Sequence, residues 1–382
     1  MARQNNSARA WFLTLTLTLS VLGAGLSSAA EEPVFESELH RFKVVTVTRG
    51  LEHPWSLAFL PDGAMLVTER PGRLRLVRDG VLDRAPVSGT PSVAASGQGG
   101  LLDVVLHPDF ANNRWVYLSY ASKGPGGAGT EVARGRLVAN RLENLETIFA
   151  VTRKSGGGRH FGSRLAFGVD GMLYITAGER GDSDRAQDPL DAAGSVIRVT
   201  ESGAVPADNP FVGRSNALPE IFSIGHRNPQ GLARHPETGR IWSVEHGPRG
   251  GDELNILRPG ANYGWPVITY GKSYAGFSIG EGVTKPGMAQ PVAYWVPSIS
   301  PSGLAFYTGD AFPRWRGSLF LGALSGEMLV RLELDGERVV REERLLEELE
   351  TRFRDVRQGP GGRLYLLTDE PDGRILRLDP MP

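Results

Sequence analysis

One phrase returns six times along this 382-residue chain, and it limits the possible folds more than any other feature. Its copies open at Ala58-Phe59-Leu60-Pro61-Asp62-Gly63, Leu106-His107-Pro108-Asp109, Ala166-Phe167-Gly168-Val169-Asp170-Gly171, Leu232-Ala233-Arg234-His235-Pro236, Leu304-Ala305-Phe306-Tyr307 and Val356-Arg357-Gln358-Gly359-Pro360. Each passes through a turn of Pro, Asp, Asn or Gly into a second apolar stretch, such as Met65-Leu66-Val67-Thr68 or Leu173-Tyr174-Ile175-Thr176. β-Branched and aromatic residues favour strands, and those turn residues favour tight reversals. A small sheet that is apolar on both faces needs neighbours to cover it. The repeats are therefore expected to close into a ring, an all-β six-bladed β-propeller. A ring has a central channel, and the loops at its mouths are the natural place for chemistry.

The first 30 residues read as a signal peptide. Arg3 and Arg9 give a positive start, an apolar stretch runs from Trp11 to about Leu26, and Ser28 and Ala30 supply small residues for cleavage. The stretch is short for a membrane span, so the mature chain, residues 31–382, is expected to be exported, periplasmic or secreted, without a span. The 42 basic residues less Arg3 and Arg9 leave 40 against 43 acidic, a net charge of −3, which points away from nucleic acid and anionic membranes. Cysteine is absent, so an exported chain of this kind relies on core burial or metals. Gly 49 and Pro 26 fit a molecule of many turns and few helices.

The polar entry at 31–45 is expected to join the closing blade. Residues 124–129 read as a hairpin tip. Residues 201–217 read as an insertion between the third and fourth blades, and 263–297 as a second insertion rich in Gly and aromatics. The acidic run 342–350 reads as a solvated face that can form a helical turn.

Several clusters can carry chemistry. His160 follows three glycines, Gly156-Gly157-Gly158, where a histidine can approach a substrate closely and act as general base; the alternative is a strand cap. Glu179 ends the following strand and is placed to orient His160, or else to pair with Arg180 or Arg185 at the surface. Gly225-His226-Arg227-Asn228-Pro229-Gln230-Gly231 packs hydrogen-bonding side chains between backbone-fixing residues, as a ligand site would. Glu245-His246-Gly247-Pro248-Arg249-Gly250-Gly251-Asp252-Glu253 offers carboxylates and bent-backbone carbonyls that suit Ca²⁺, without regular EF-hand spacing. Arg352 and Arg354 share one strand face, where they attract a multiply charged anion or pair with 342–350. Gln98 sits in another glycine loop, Gly97-Gln98-Gly99-Gly100. Neither a nucleophile elbow nor a phosphate loop appears in the sequence.

Taken together, Gly97-Gln98-Gly99-Gly100-Leu101-Leu102-Asp103, His226-Arg227-Asn228-Pro229-Gln230-Gly231, Glu245-His246-Gly247-Pro248-Arg249-Gly250-Gly251-Asp252-Glu253 and Asn262-Tyr263-Gly264-Trp265-Pro266 resemble the soluble aldose sugar dehydrogenases that depend on pyrroloquinoline quinone (PQQ), relatives of soluble glucose dehydrogenase. The resemblance covers nearly all of the mature chain and implies the same six-bladed fold. It implies that His160 is the general base and Glu179 its orienting acid. Gln98, Arg227, Asn228 and Tyr274 fall at quinone-contacting positions. Ala323, Leu324 and Ser325 fall in the cofactor-binding set, and so do Arg352, Phe353 and Arg354, with the two arginines facing the cofactor's carboxylates. The carbonyls of Gly247 and Pro248 match ligands of the Ca²⁺ that grips the quinone, and Glu253 and Tyr263 match a second, structural Ca²⁺ site. The implied reaction is hydride transfer from C1 of an aldose to C5 of the quinone, with Arg227 stabilising the oxyanion and an aldonolactone as product. One departure stands out: after Gly322-Ala323-Leu324 the family pattern usually has Lys, and here it is Ser325. Arg331 or Lys272 is a candidate to compensate.

Two other functions fit the same ring. A calcium-dependent propeller hydrolase, such as a lactonase, would line its channel with Asn, Asp and Glu, whereas the candidates here are rich in Arg. A non-catalytic binding propeller would keep the ring and lose the chemistry. A small-molecule aldose and an electron acceptor of unspecified identity are the expected partners, to a monomer or homodimer.

Overall fold

The computed structural model describes residues 33–382, so the signal-peptide reading of 1–30 lies outside the described residues. Six antiparallel sheets follow one another along the chain, a six-bladed β-propeller. The first blade holds Pro54–Phe59, Met65–Glu69, Arg73–Arg78 and Val81–Leu82; the second holds Leu101–Leu106, Trp115–Gly124, Gly127–Val138 and Arg141–Ala150. The third is Leu165–Phe167, Leu173–Ala177, Ser195–Val199 and Ile221–Ile224; the fourth is Pro229–Arg234, Ile241–Glu245, Asp252–Ile256 and Ala293–Trp295. The fifth is Pro301–Phe306, Leu319–Ala323, Met328–Asp335 and Arg338–Leu345. Helix among the described residues is confined to Phe110–Asn113 and four short 3₁₀ turns.

The sixth blade closes the ring. Its strands Phe353–Gln358, Leu364–Thr368 and Gly373–Pro380 come from the C-terminus, and the N-terminal strand Arg41–Leu51 completes it, with Val44 opposite Leu378 and Thr46 opposite Leu376. Val34–Glu36 adds a further strand outside it. Joining the two chain ends in one sheet leaves no open edge between first and last blades, the edge that would otherwise invite pairing with another chain. The expectation for 31–45 is met over residues 34–45, and 31–32 lie outside the described residues.

Alternation along the strands buries both blade faces. In the fourth blade Trp242 and Val244 pack with Leu254, and the same cluster takes in Leu319 and Leu321 of the fifth. Phe353, Leu364 and Leu366 of the sixth blade pack with Phe320 of the fifth and with Trp315 beside it. Inner strands approach closely: a Cβ on Gly231 would lie 2.3 Å from the Ser302 carbonyl oxygen, so only glycine admits the neighbouring blade there.

One expectation is corrected. Residues 201–217 do not link blades; they lie within the third, between Ser195–Val199 and its outermost strand Ile221–Ile224. The longer insertion likewise lies inside the fourth blade, and its end is the strand Ala293–Trp295, which pairs with Asp252–Leu254. The hairpin at 124–129 is a two-residue turn joining Gly124 to Gly127. The acidic run divides between the strand Arg338–Leu345 and the 3₁₀ turn Glu347–Leu349.

Candidate active site

In an antiparallel blade, the start of the innermost strand and the end of the second lie at the same end of the channel. Residues at those two places therefore converge from every blade. They enclose a cavity of about 270 Å³ at one mouth. Gln98, His160, Arg227, Ser300 and Arg352 enter from the strand starts, and Arg70, His246, Leu324 and Asp369 from the ends of second strands.

His160 stands in a backbone that few residues accept, with φ +54°. A non-glycine residue in this region carries strain that its surroundings must hold in place. Here its N–H donates to Gln98 Oε1 at 2.7 Å, and Gly162 N–H donates to Asn228 Oδ1 at 3.1 Å. His160 Nδ1 lies 2.9 Å from Glu179 Oε2. Glu179 is buried and also accepts the Gly181 N–H, so it is no surface ion-pair partner of Arg180 or Arg185; Arg185 pairs with Asp191 at 2.7 Å instead. An ionised carboxylate only accepts, so Nδ1 carries the proton and Nε2 keeps its lone pair on the cavity side. Burial lowers the His160 pKa below its ordinary value; the Glu179 hydrogen bond raises it in part, and the Arg227 charge lowers it again. The ring is accordingly neutral at pH 7 and able to take a proton.

The fourth blade repeats this pair 19 residues apart. His226 Nδ1 lies 2.9 Å from Glu245 Oε1, as His160 does from Glu179. The difference lies at the other nitrogen. His226 Nε2 meets Ser223 Oγ at 2.9 Å, and its ring is fully buried against Tyr263, with ring centres 4.6 Å apart. One copy of the motif is thus closed and structural, and the other opens on the cavity.

The cavity is cationic. Arg70, Arg227, Arg352 and Arg354 line it, and Asp369 is the one carboxylate among the lining residues. Asp369 accepts from Arg352 at 3.1 Å and from Arg354 at 3.0 Å. Burial pushes its carboxyl up, but the two guanidiniums outweigh this and hold it well below the usual carboxylate range. The two arginines therefore share a face, as expected, and pair with Asp369 instead of 342–350. His246 is half-buried under the same charges and is pushed down to about 3, by desolvation first and then by Arg354 and Arg227. Trp55 floors the mouth, with the Arg354 guanidinium 5.9 Å from its ring centre.

The 247–248 loop is held by Asp252, which accepts from Gly247 N–H at 2.8 Å and Ser300 N–H at 2.8 Å. Arg227 Nη1 donates to the carbonyls of His246 at 3.0 Å and Gly247 at 2.7 Å, while its Nε is buried without a partner. Beneath this loop a small gap is bordered by Glu245, Glu253, Tyr263 and Thr269, with Trp265 and Ile268. Burial, reinforced by the Glu245 charge, pushes the Glu253 carboxyl up to about 8. Asn255 Oδ1 is buried beside it without a donor. The Tyr263 hydroxyl donates to the Ile256 carbonyl at 2.6 Å and its N–H to the Ile224 carbonyl at 2.9 Å, so its carbonyl oxygen is the group left to face the gap.

The remaining candidates divide. Tyr274 lines the mouth while 73% exposed, and Pro248 and Leu324 line the cavity too. Ala323 and Phe353 have fully buried side chains inside the fifth and sixth blades. Ser325 lies outside the cavity, in an adjoining groove with Lys272, and its hydroxyl meets Ser300 Oγ at 2.8 Å. Arg331 does not compensate for it, because it is buried in the fifth blade against Glu343 at 2.6 Å. Arg70 and Asp369 escaped the sequence reading, and His246 entered it only within the run read for Ca²⁺. Their signal was positional: each follows the second strand of a blade, as Gly178 and Glu179 do.

These features define a propeller whose channel mouth pairs a neutral, oriented histidine with an anion-attracting pocket. The chain belongs to the glucose/sorbosone dehydrogenase family, whose model matches residues 51–377, and it is an oxidoreductase of that family. It is 48% identical over 336 residues to the aldose sugar dehydrogenase YliI of Escherichia coli, covering 86% of this chain and 91% of that protein. A crystal structure of a glucose dehydrogenase superposes with a TM-score of 0.86 at 53% identity, covering 88% of this chain and 99% of the other. The PQQ-bound aldose sugar dehydrogenase of Streptomyces coelicolor superposes at 0.74 with 32% identity, covering 89% and 98%.

Proposed function

We propose that this chain oxidises aldoses at C1 to aldonolactones using PQQ and Ca²⁺, with His160 as general base. The observation that carries the proposal is the oriented His160–Glu179 pair opening on a pocket of four arginines. The residues suit a tricarboxylate such as PQQ, because they bring excess positive charge and unpartnered buried donors, Arg227 Nε and Arg354 Nε. They also suit Ca²⁺. No cluster of three or more His, Cys, Asp or Glu forms a metal site among the described residues, so a cation must rest on carbonyls and at most a few carboxylates, a donor set typical of Ca²⁺. The carbonyls of Gly247 and Pro248 would supply it at the cavity, with Gly247 sharing its oxygen with Arg227; Glu253 and the Tyr263 main chain would supply the second site.

When bound, PQQ supplies the hydride acceptor and Ca²⁺ polarises its carbonyl. The protein supplies position and proton handling. His160 Nε2 takes the proton of the anomeric hydroxyl as C1 loses hydride, and Glu179 stabilises the imidazolium so formed. Arg227 places positive charge where an oxyanion develops. Asn228 and Gln98 hold the His160 loop in its strained form. Export of the mature chain forms part of the same proposal.

The test is His160→Ala, with PQQ binding measured alongside turnover. A loss in kcat of about 10²–10⁴ with cofactor still bound is expected. Near-normal turnover in that variant would remove His160 from the role.

A further inference from the structure

The four cavity arginines are not equally committed. Arg352 gives Nη1 to the Leu324 carbonyl at 2.9 Å and Nη2 to Asp369 at 3.1 Å. Arg354 gives Nη1 to Gln230 Oε1 at 3.0 Å and Nη2 to Asp369 at 3.0 Å. Arg227 places Nη1 on two carbonyls. Arg70 is different. It is half-buried and lines the cavity, yet its guanidinium makes no hydrogen bond or ion pair with any described residue. The charges acting on it are Asp369, which already serves two arginines, and Arg354 and Arg352, which repel it. A partly desolvated cation beside two like charges, with its donors unused, is unfavourable until an anion arrives.

The backbone around Arg70 is built to keep it there. It follows the second strand of the first blade, donating its N–H to the His53 carbonyl at 3.1 Å and accepting from Leu101 N–H at 3.1 Å. Gly100, with φ +144°, closes over it: a Cβ there would fall 1.9 Å from the Arg70 carbonyl oxygen and 2.7 Å from its Cγ. The glycine run before the second blade therefore packs directly against Arg70 as well as carrying Gln98. In the repeat, Arg70 follows the second strand of its blade as Leu324 does in the fifth.

We infer that Arg70 is a further cofactor-binding residue, gripping a carboxylate of the anionic quinone. The inference rests on the PQQ reading above. A planar guanidinium with free donors can take a carboxylate in bidentate fashion, which a lysine cannot.

Titration of the apoprotein with PQQ, read by quinone absorbance at low and high salt, tests this in wild type, Arg70→Gln and Arg70→Lys. Loss of one charge-assisted contact is expected to raise the Kd of Arg70→Gln by about 10–100-fold, with Arg70→Lys between it and wild type. Salt dependence should fall with the charge. The apoprotein Tm of Arg70→Gln should be unchanged or higher, because a repelled cation has been removed. An unchanged Kd in Arg70→Gln overturns the inference while leaving the PQQ reading intact. So does a lowered apoprotein Tm in both variants, which would make Arg70 structural. If wild type itself fails to bind PQQ, both fall.

Discussion

Replacing Glu179 by Gln keeps the shape of the catalytic pair and removes its charge. The Oε2 position that accepts His160 Nδ1 at 2.9 Å and the Gly181 N–H can be filled by the amide oxygen, so tautomer and loop are retained. What goes is the charge that stabilises the imidazolium formed during proton abstraction. Two unit charges about 4 Å apart interact by about 4 kcal/mol at an effective dielectric constant of about 20. At about 1.4 kcal/mol per decade that is a ceiling near 10³-fold. Because the proton is only partly transferred in the transition state, kcat should fall by about 10²–10³. The pH profile supplies a second reading. In wild type, burial lowers the His160 pKa and Glu179 partly restores it, so activity should fall as pH drops through a value below 6.5. Removing Glu179 removes the restoring interaction, so the acid limb should move to lower pH while the plateau drops. The assay is dye-coupled sugar oxidation from pH 4 to 9 with the holoprotein, with PQQ binding checked separately. A plateau within threefold of wild type, or a limb that moves upward, would mean that the Glu179 charge does not stabilise the His160 imidazolium.

Other consequences follow from the same structure. Arg164 is almost fully buried in the channel, bridging Asp103 at 3.4 Å and Asp355 at 3.1 Å, with Arg357 reaching both aspartates from the other side. Arg164→Met should cost about 3 kcal/mol in urea unfolding, near the lower end for a broken buried pair because Arg357 remains; a change under about 0.5 kcal/mol would contradict the assigned role. Chelation should lower Tm, and Ca²⁺ should restore it, because binding to the folded state alone stabilises it by mass action, by about 2.7 kcal/mol at a hundredfold excess over Kd. Glu253→Gln should make Tm insensitive to chelator; a Tm that still responds as in wild type would remove Glu253 from the metal.

The ring was legible because each blade announces itself locally, by an apolar strand, a turn and a second strand of fixed character. The pairing of His160 with Glu179 was legible for the same reason, since adjacent strands of one blade must return alongside each other. Residues 201–217 were misplaced because turn-rich polar sequence looks the same inside a blade as between blades; only the pairing of Ile221–Ile224 with Ser195–Val199 assigns them. Arg331 was misjudged because a charged side chain in sequence does not reveal its partner, here Glu343 on the neighbouring strand. Arg70 and Asp369 were overlooked because a lone charge after a strand resembles any solvated turn. Aligning the six copies on their second strands would have drawn attention to both.

On the proposal above, the cationic mouth holds a quinone and the histidine beside it deprotonates a sugar. Dye reduction by the purified apoprotein with glucose, with and without added PQQ and Ca²⁺, tests it most directly. Turnover is expected only when both are present. Turnover without PQQ, or the absence of any PQQ binding in the presence of Ca²⁺, would contradict it.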